Sequence, residues 1–142
     1  MKTSARNQLT GTVEKVVHGP VSAEVVLRIS GENNVTAVIT NESAQDLDLK
    51  KGDTATALIK ASAVILMDAN EQVKTSAKNR FCGKVDGIVE GVVTDEVTIE
   101  LNDGNSIVAT ITKKSVDDMK LKNGATICAL VKASHVILAV KK

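Results

Sequence analysis

Aromatic residues are nearly missing from this chain: its 142 residues include one Phe and neither Trp nor Tyr. Proteins that grip single-stranded nucleic acid stack its bases on aromatic rings, and such rings are not available here. A surplus of one sign of charge is missing too. Lys and Arg number 18 against 17 Asp and Glu, so the chain lacks the basic field that duplex phosphates require. Both absences argue against nucleic acid as a partner. No stretch approaches the roughly 18 consecutive apolar residues of a membrane span, and Met1 to Asn7 is too polar for a secretion signal. The expectation is a cytoplasmic protein with no membrane partner. The two cysteines, Cys82 and Cys128, and two histidines, His18 and His135, form no CxxC or HExxH spacing, which argues against a metal cage or a Cys/His nucleophile. No acid or base is placed for catalysis, so the chain reads as a non-enzyme without a catalytic cofactor.

What the chain does contain is an internal duplication. Ser4-Ala5-Arg6-Asn7-Gln8-Leu9-Thr10-Gly11-Thr12-Val13 returns 72 residues later as Ser76-Ala77-Lys78-Asn79-Arg80-Phe81-Cys82-Gly83-Lys84-Val85. The match continues without a gap through Ala37-Val38-Ile39-Thr40 on Ala109-Thr110-Ile111-Thr112, and Lys60-Ala61-Ser62 on Lys132-Ala133-Ser134. Roughly two-fifths of the aligned positions are identical, far above what shared composition gives. Residues 1–68 are therefore expected to be one domain and 76–142 a second, with 69–75 as the linker. Cys82 and Cys128 replace Thr10 and Thr56 of the first copy, which suggests small half-buried strand positions with a structural role rather than redox centres.

Within one unit, Leu9 to Val17 and Val21 to Ile29 read as paired strands around the turn residues His18-Gly19-Pro20, and Val35 to Ile39 as a third strand. In the second copy, Asp103-Gly104 marks the corresponding hairpin turn. Thr40 is a capping residue ahead of one or two helical turns that Lys50-Lys51-Gly52-Asp53 ends, and Thr54 to Ala61 and Ala63 to Leu66 are two more strands. That order predicts an all-β chain of two tandem OB-type five-stranded Greek-key barrels, each with one short helix. With 43% hydrophobic residues but almost no aromatic mass, so small a unit is marginal alone, and oligomerisation is the natural remedy.

Three polar clusters survive the duplication: Ser4, Arg6 and Asn7 with Ser76, Lys78 and Asn79; Thr40 and Ser43 with Thr112 and Ser115; Lys60 and Ser62 with Lys132 and Ser134. Each has a local explanation as turn, helix cap or solvated cation. Together they carry cations, hydroxyls and free N–H groups with no acid among them, the chemistry of an anion site. No GxxxxGK[ST] loop is present, so a small dianion fits better than a nucleotide. Glu24 and Glu96 also recur, and read as solvated or salt-bridged strand carboxylates.

The segments Ser4-Ala5-Arg6-Asn7-x-Leu9-x-Gly11-x-Val13, Ala23-Glu24-Val25, Thr36-Ala37-Val38-Ile39-Thr40-x-x-Ser43-Ala44 and Leu58-Ile59-Lys60-Ala61-Ser62-x-Val64-Ile65-Leu66 resemble the Mop domain, a molybdate-binding module. Two in tandem resemble the cytoplasmic di-Mop molbindins, and the likeness covers essentially the whole chain. The resemblance implies an OB-type fold, a homotrimer in which six units form one assembly, and molybdate or tungstate bound by hydrogen bonds at domain and subunit interfaces. Carried over residue by residue, it implies ligands at Ser4, Arg6, Asn7, Thr40 and Ser43, with Lys60, Ala61 and Ser62 contributed across an interface. In the second copy the same set is Ser76, Lys78, Asn79, Thr112, Ser115, Lys132, Ala133 and Ser134. Lys78 stands where Arg is expected, exchanging a planar fork for a point charge, so the two site sets need not be equivalent. The turns Gly19–Ser22 and Gly91–Thr94 are candidates for a second class of site through their backbone donors.

The function expected from this is storage and homeostasis of molybdenum as its oxyanion. Two alternatives stand beside it: a molybdate-dependent signalling or delivery partner, and a carrier of the pterin molybdenum cofactor. The scarcity of rings counts against the last, although Arg6 could stack on a pterin.

Overall fold

The structure is a computed structural model that describes every residue except Glu32. The first unit contributes β1 (Asn7–His18), β2 (Ser22–Ser30), β3 (Asn33–Thr40), helix α1 (Asn41–Leu47), β4 (Thr54–Ile59) and β5 (Ile65–Asp68). The second repeats the order as β6 (Asn79–Val89), β7 (Thr94–Leu101), β8 (Ser106–Thr112), α2 (Lys113–Met119), β9 (Thr126–Val131) and β10 (Ile137–Ala139). A three-residue 3-10 turn, Ala61–Ala63 or Ala133–His135, precedes each last strand. The strand and helix order is the one the sequence predicts, and Met67 and Asp68 extend the last strand of the first unit.

Alternation is why these segments are strands. Leu9 and Val13 on β1, Val25 and Leu27 on β2, and Val35 and Ala37 on β3 point inward and are buried. Long β1 pairs with β4 on one edge and β2 on the other, bending at a bulge between Val13 and Lys15. Gly11 lies two residues before that bulge, where an added Cβ would sit 2.3 Å from the Arg28 carbonyl oxygen. Gly83 repeats the arrangement at 2.1 Å from the Glu100 oxygen.

The sheets do not follow the sequence repeats. One has the order β10-β4-β1-β2-β3 and the other β5-β9-β6-β7-β8, so each unit gives its last strand to the other barrel. Residues 60–64, between β4 and β5, contain no Gly, Asn or Asp to make a tight reversal, and the 3-10 turn carries the chain across rather than back. The two edge strands of each five-stranded sheet touch, β10 with β3 and β5 with β8, as an OB-type barrel requires. Buried Val, Ile, Leu and Ala of both barrels form one continuous core with Phe81.

Each helix begins at the end of a barrel strand. Thr40 and Thr112 cap α1 and α2 by accepting the N–H of Ser43 at 3.0 Å and of Ser115 at 3.1 Å, which satisfies an N–H that helix geometry leaves without a partner. The cysteines are not the separate half-buried positions expected from sequence. They lie opposite each other on β6 and β9 and form a disulfide, with Cys82 exposed and Cys128 fully buried. A separation of 46 residues hides this pairing until the sheet register is known.

Candidate anion-binding site

Strand pairing assembles the cationic clusters. Asn7 faces Ile59 as the last pair of β1 and β4, so Arg6 and Lys60 leave the same barrel end side by side. The 3-10 turn that carries Ser62 packs on β8 of the other barrel. Ser4, Arg6, Lys60 and Ser62 are exposed along this seam, whereas Ala61 is buried and has only its backbone to offer. The second seam is built alike. Asn79 faces Val131, Lys78 and Lys132 emerge together, and the turn carrying Ser134 packs on β3, with Ser76 exposed nearby and Ala133 buried.

The two asparagines expected among the ligands have their side chains elsewhere. Asn7 Nδ2 donates to the Val108 carbonyl at 2.8 Å, and its Oδ1 accepts the Val108 N–H at 2.7 Å. Asn79 does the same to Thr36 at 2.8 and 2.7 Å and adds a bond to the Val131 carbonyl at 3.2 Å. Both are almost fully buried, and each pairs with an edge strand of the opposite barrel as another strand would. Their amides clamp the barrels together and do not face the open seam.

The hydroxyl pairs lie further along. Thr40 is four residues beyond Thr36 on β3, about 13 Å at strand rise, and Thr112 is equally far beyond Val108 on β8. Within one chain, therefore, Thr40 and Ser43 do not meet Arg6 and Lys60. The strand exchange places Arg6 and Lys60 on the β8 side, which leads to Thr112 and Ser115, and places Lys78 and Lys132 on the β3 side, which leads to Thr40 and Ser43. Thr40 Oγ1 donates to Ser43 Oγ at 2.9 Å and Thr112 Oγ1 to Ser115 Oγ at 2.8 Å.

Acids do enter the site, contrary to the acid-free cluster expected from sequence. Glu96 on β7 makes a two-pronged ion pair with Arg6, which agrees with reading it as a salt-bridged carboxylate. Among the described residues no such pair joins Lys78 to Glu24. At the α2 start, buried Asp95 accepts the Gly91 N–H at 3.1 Å and lies 3.6 Å from Lys113 Nζ, which also reaches Glu90 at 3.7 Å. The matching positions in the first unit are Ala23, Asn41 and His18, so one helix start is charged behind and the other neutral. Asp95 and Lys113 escape a search for repeated residues because they are where the copies differ. The turns Gly19–Ser22 and Gly91–Thr94 have less to donate than expected, since the Gly19 N–H bonds to the Ser22 carbonyl at 2.8 Å and Gly91 serves Asp95.

Among the described residues no group of three or more His, Cys, Asp or Glu is placed to hold a metal ion, and no helix is long and apolar enough to cross a membrane. The arrangement offers hydrogen-bond donors and cations at the barrel seams. A family model, the TOBE domain, matches residues 3–66 and again 75–138. The chain belongs to the TOBE-domain family. Its two TOBE units are of the Mop kind, in tandem as in a molbindin. The tandem TOBE chain is 43% identical over 140 residues to the molybdenum transport protein ModE of Azotobacter vinelandii, covering 99% of this chain and 52% of that protein. It is 44% identical over 139 residues to the molybdenum-pterin-binding protein MopA of Rhodobacter capsulatus, covering 98% and 52%. The TOBE chain thus spans about half the length of these relatives. It superposes with a TM-score of 0.96 on a crystal structure of the cytoplasmic molybdate-binding protein ModG with molybdate bound, at 42% identity over 99% of this chain and all of that one.

Proposed function

We infer that this tandem TOBE chain binds molybdate, and tungstate with it, by hydrogen bonds along the seams between barrels and between copies of the chain, and that it stores and buffers molybdenum in the cytoplasm as a binding protein rather than an enzyme. The observation that carries the reading is the full-length likeness to molybdate-bound ModG at 42% identity. The exposed donors, Ser4, Arg6, Lys60 and Ser62 at one seam and Ser76, Lys78, Lys132 and Ser134 at the other, are the ligands that reading needs. Thr40, Ser43, Thr112 and Ser115 complete the sites from neighbouring barrels or copies. Asn7, Asn79, Ala61 and Ala133 contribute by holding the seams and by their backbone groups. A seam of fixed size lined by donors selects among tetrahedral dianions by fit, because charge is the same for molybdate and sulfate.

A homotrimer belongs to the same reading. Val21, Val92 and Val93 are 82%, 94% and 72% exposed, and Ile65 and Ile137 are each 64% exposed. Val21 and Val93 are equivalent in the repeat, as are Ile65 and Ile137, so matching apolar patches stand on both barrels for other copies to cover. Anion bound where copies meet would stabilise the assembly by mass action.

Equilibrium dialysis of the full chain with molybdate against excess sulfate tests this, using wild type and Lys60→Ala with Lys132→Ala. Uptake by the wild type and its loss in the double variant are expected; both lysines are exposed, so the variant keeps its fold. Absence of wild-type uptake overturns the reading, and undiminished uptake by the variant overturns the lysine assignment. The name of MopA favours one second reading, a pterin-bearing form of molybdenum as ligand. Phe81, the one residue among Phe, Tyr and Trp, is buried and gives no stacking surface. A response to the pterin cofactor together with silence toward free molybdate would select this second reading.

A further inference from the structure

Cys82 and Cys128 have no part in oxyanion binding. They occupy the places of Thr10 and Thr56 in the first barrel, and in both barrels the two residues face each other across the antiparallel pair. The threonines are joined by a hydroxyl hydrogen bond of 2.8 Å, the cysteines by a covalent bond. The same sheet therefore stands with or without a crosslink, and the neighbouring pairs Phe81 with Ala129 and Gly83 with Ile127 keep the sulfurs adjacent in either state.

The two sulfurs are unequal. Cys82 is exposed and lines a surface cavity with Asn33, Asn102 and Asp103. Cys128 is fully buried, with Arg80 Nη2 3.6 Å from its Sγ. A small thiolate arriving from solvent reaches Cys82. Its attack forms a mixed disulfide there and breaks the bond to Cys128, which leaves as a thiolate beside the Arg80 guanidinium. The Asp103 carboxylate in the cavity disfavours negative charge on Cys82, so Cys128 is the better leaving sulfur. A second small thiol attacks the outer sulfur of the mixed disulfide and releases a small disulfide. Two thiols are oxidised to one disulfide, and the protein takes up two electrons and two protons.

We propose that Cys82 and Cys128 are a reversible thiol–disulfide couple, exchanging with small thiols and disulfides of the glutathione class, that sets how firmly β6 is held to β9. Because Cys128 also faces Met67 of the exchanged strand β5, the crosslink anchors the strand on which the first unit is hung.

The test equilibrates the full chain in mixtures of reduced and oxidised glutathione, traps free thiols with a maleimide and counts them by mass. Both thiols are expected to appear together in one step within the range of those mixtures, with an unchanged far-ultraviolet spectrum. Short labelling of the reduced native protein should modify Cys82 before Cys128. Reduction should lower Tm by roughly 10 °C, as expected for releasing a crosslink over 46 residues. Cys82→Thr with Cys128→Thr, which copies the first barrel, should fold with a Tm that ignores the mixture. A pair that stays fully joined or fully open in every mixture overturns the proposal, and so does a wild-type Tm as indifferent to the mixture as that of the variant.

Discussion

Asn79→Ala separates a clamp from a ligand. The Asn79 amide accepts the Thr36 N–H at 2.7 Å and donates to the carbonyls of Thr36 and Val131 at 2.8 and 3.2 Å, from a side chain almost wholly buried. Alanine removes three hydrogen bonds worth about 1 kcal/mol each and leaves the Thr36 backbone facing a gap, for a loss of about 3 kcal/mol. Asn7→Ala, with two such bonds, should lose about 2 kcal/mol. Asn79→Asp keeps the shape but turns oxygen toward two carbonyl oxygens, and should cost more than alanine. In urea melts the Asn79→Ala midpoint should fall by about 1.5 M at an unchanged slope. Molybdate dialysis well below that midpoint should show uptake by the folded variant. A melt within about 0.5 kcal/mol of wild type, combined with lost uptake, would refute the clamp and make Asn79 a ligand, since surface positions shift stability by about that much.

Gly11→Ala and Gly83→Ala would each press a Cβ onto a backbone oxygen, 2.3 Å from Arg28 and 2.1 Å from Glu100, and each should lose about 3 kcal/mol or more in a thermal melt. Burial alone would raise the Asp103 pKa, but hydrogen bonds from Ser30, Asn33 and Asn105 outweigh it and hold the carboxyl at about 2, below the ordinary 3.8. A lowered pKa contributes stability that is present above pH 4 and lost as pH falls toward 2. The group is partly open to solvent, so the loss is below about 1 kcal/mol. Denaturant melts of wild type and Asp103→Asn should therefore converge between pH 4 and pH 2, and a constant gap would show that these bonds do not hold the carboxylate.

The strand order and both helices were legible because β-branched and apolar residues recur between turn residues in β1 to β3, and Thr40 stands one residue before the change of period. The exchange of β5 and β10 was not. Val64-Ile65-Leu66 and Val136-Ile137-Leu138 are the same sequence, so either strand fits either barrel, and only the missing turn residues in 60–64 hint at the crossing. The disulfide was hidden for a related reason, since β6 and β9 pair across a long loop whose register no local pattern fixes. For the asparagines a signal existed. Asn7 shares the inward parity of Leu9 and Val13, and a polar residue on that face must find backbone partners in the interior. Its place beside Arg6 made it look like a ligand.

Duplication and exchange together explain why the candidate site is at the seams. A barrel that takes its fifth strand from its twin leaves the segment before that strand, Lys60–Ala63 or Lys132–His135, stretched across the junction against the twin's edge strand. The start of the first strand lies beside it through the Asn7–Ile59 or Asn79–Val131 pair, and the asparagine clamps fix both to that edge. Each seam thus gathers cations from one barrel onto a surface made by the other, and it persists only while both barrels are folded. The copies also diverge here. Arg6 is held by Glu96 at the first seam, while among the described residues no such ion pair holds Lys78 at the second, so an anion at the first seam would have to compete with a carboxylate for Arg6. Two barrels of one ancestry thereby present seams whose cations are differently paired.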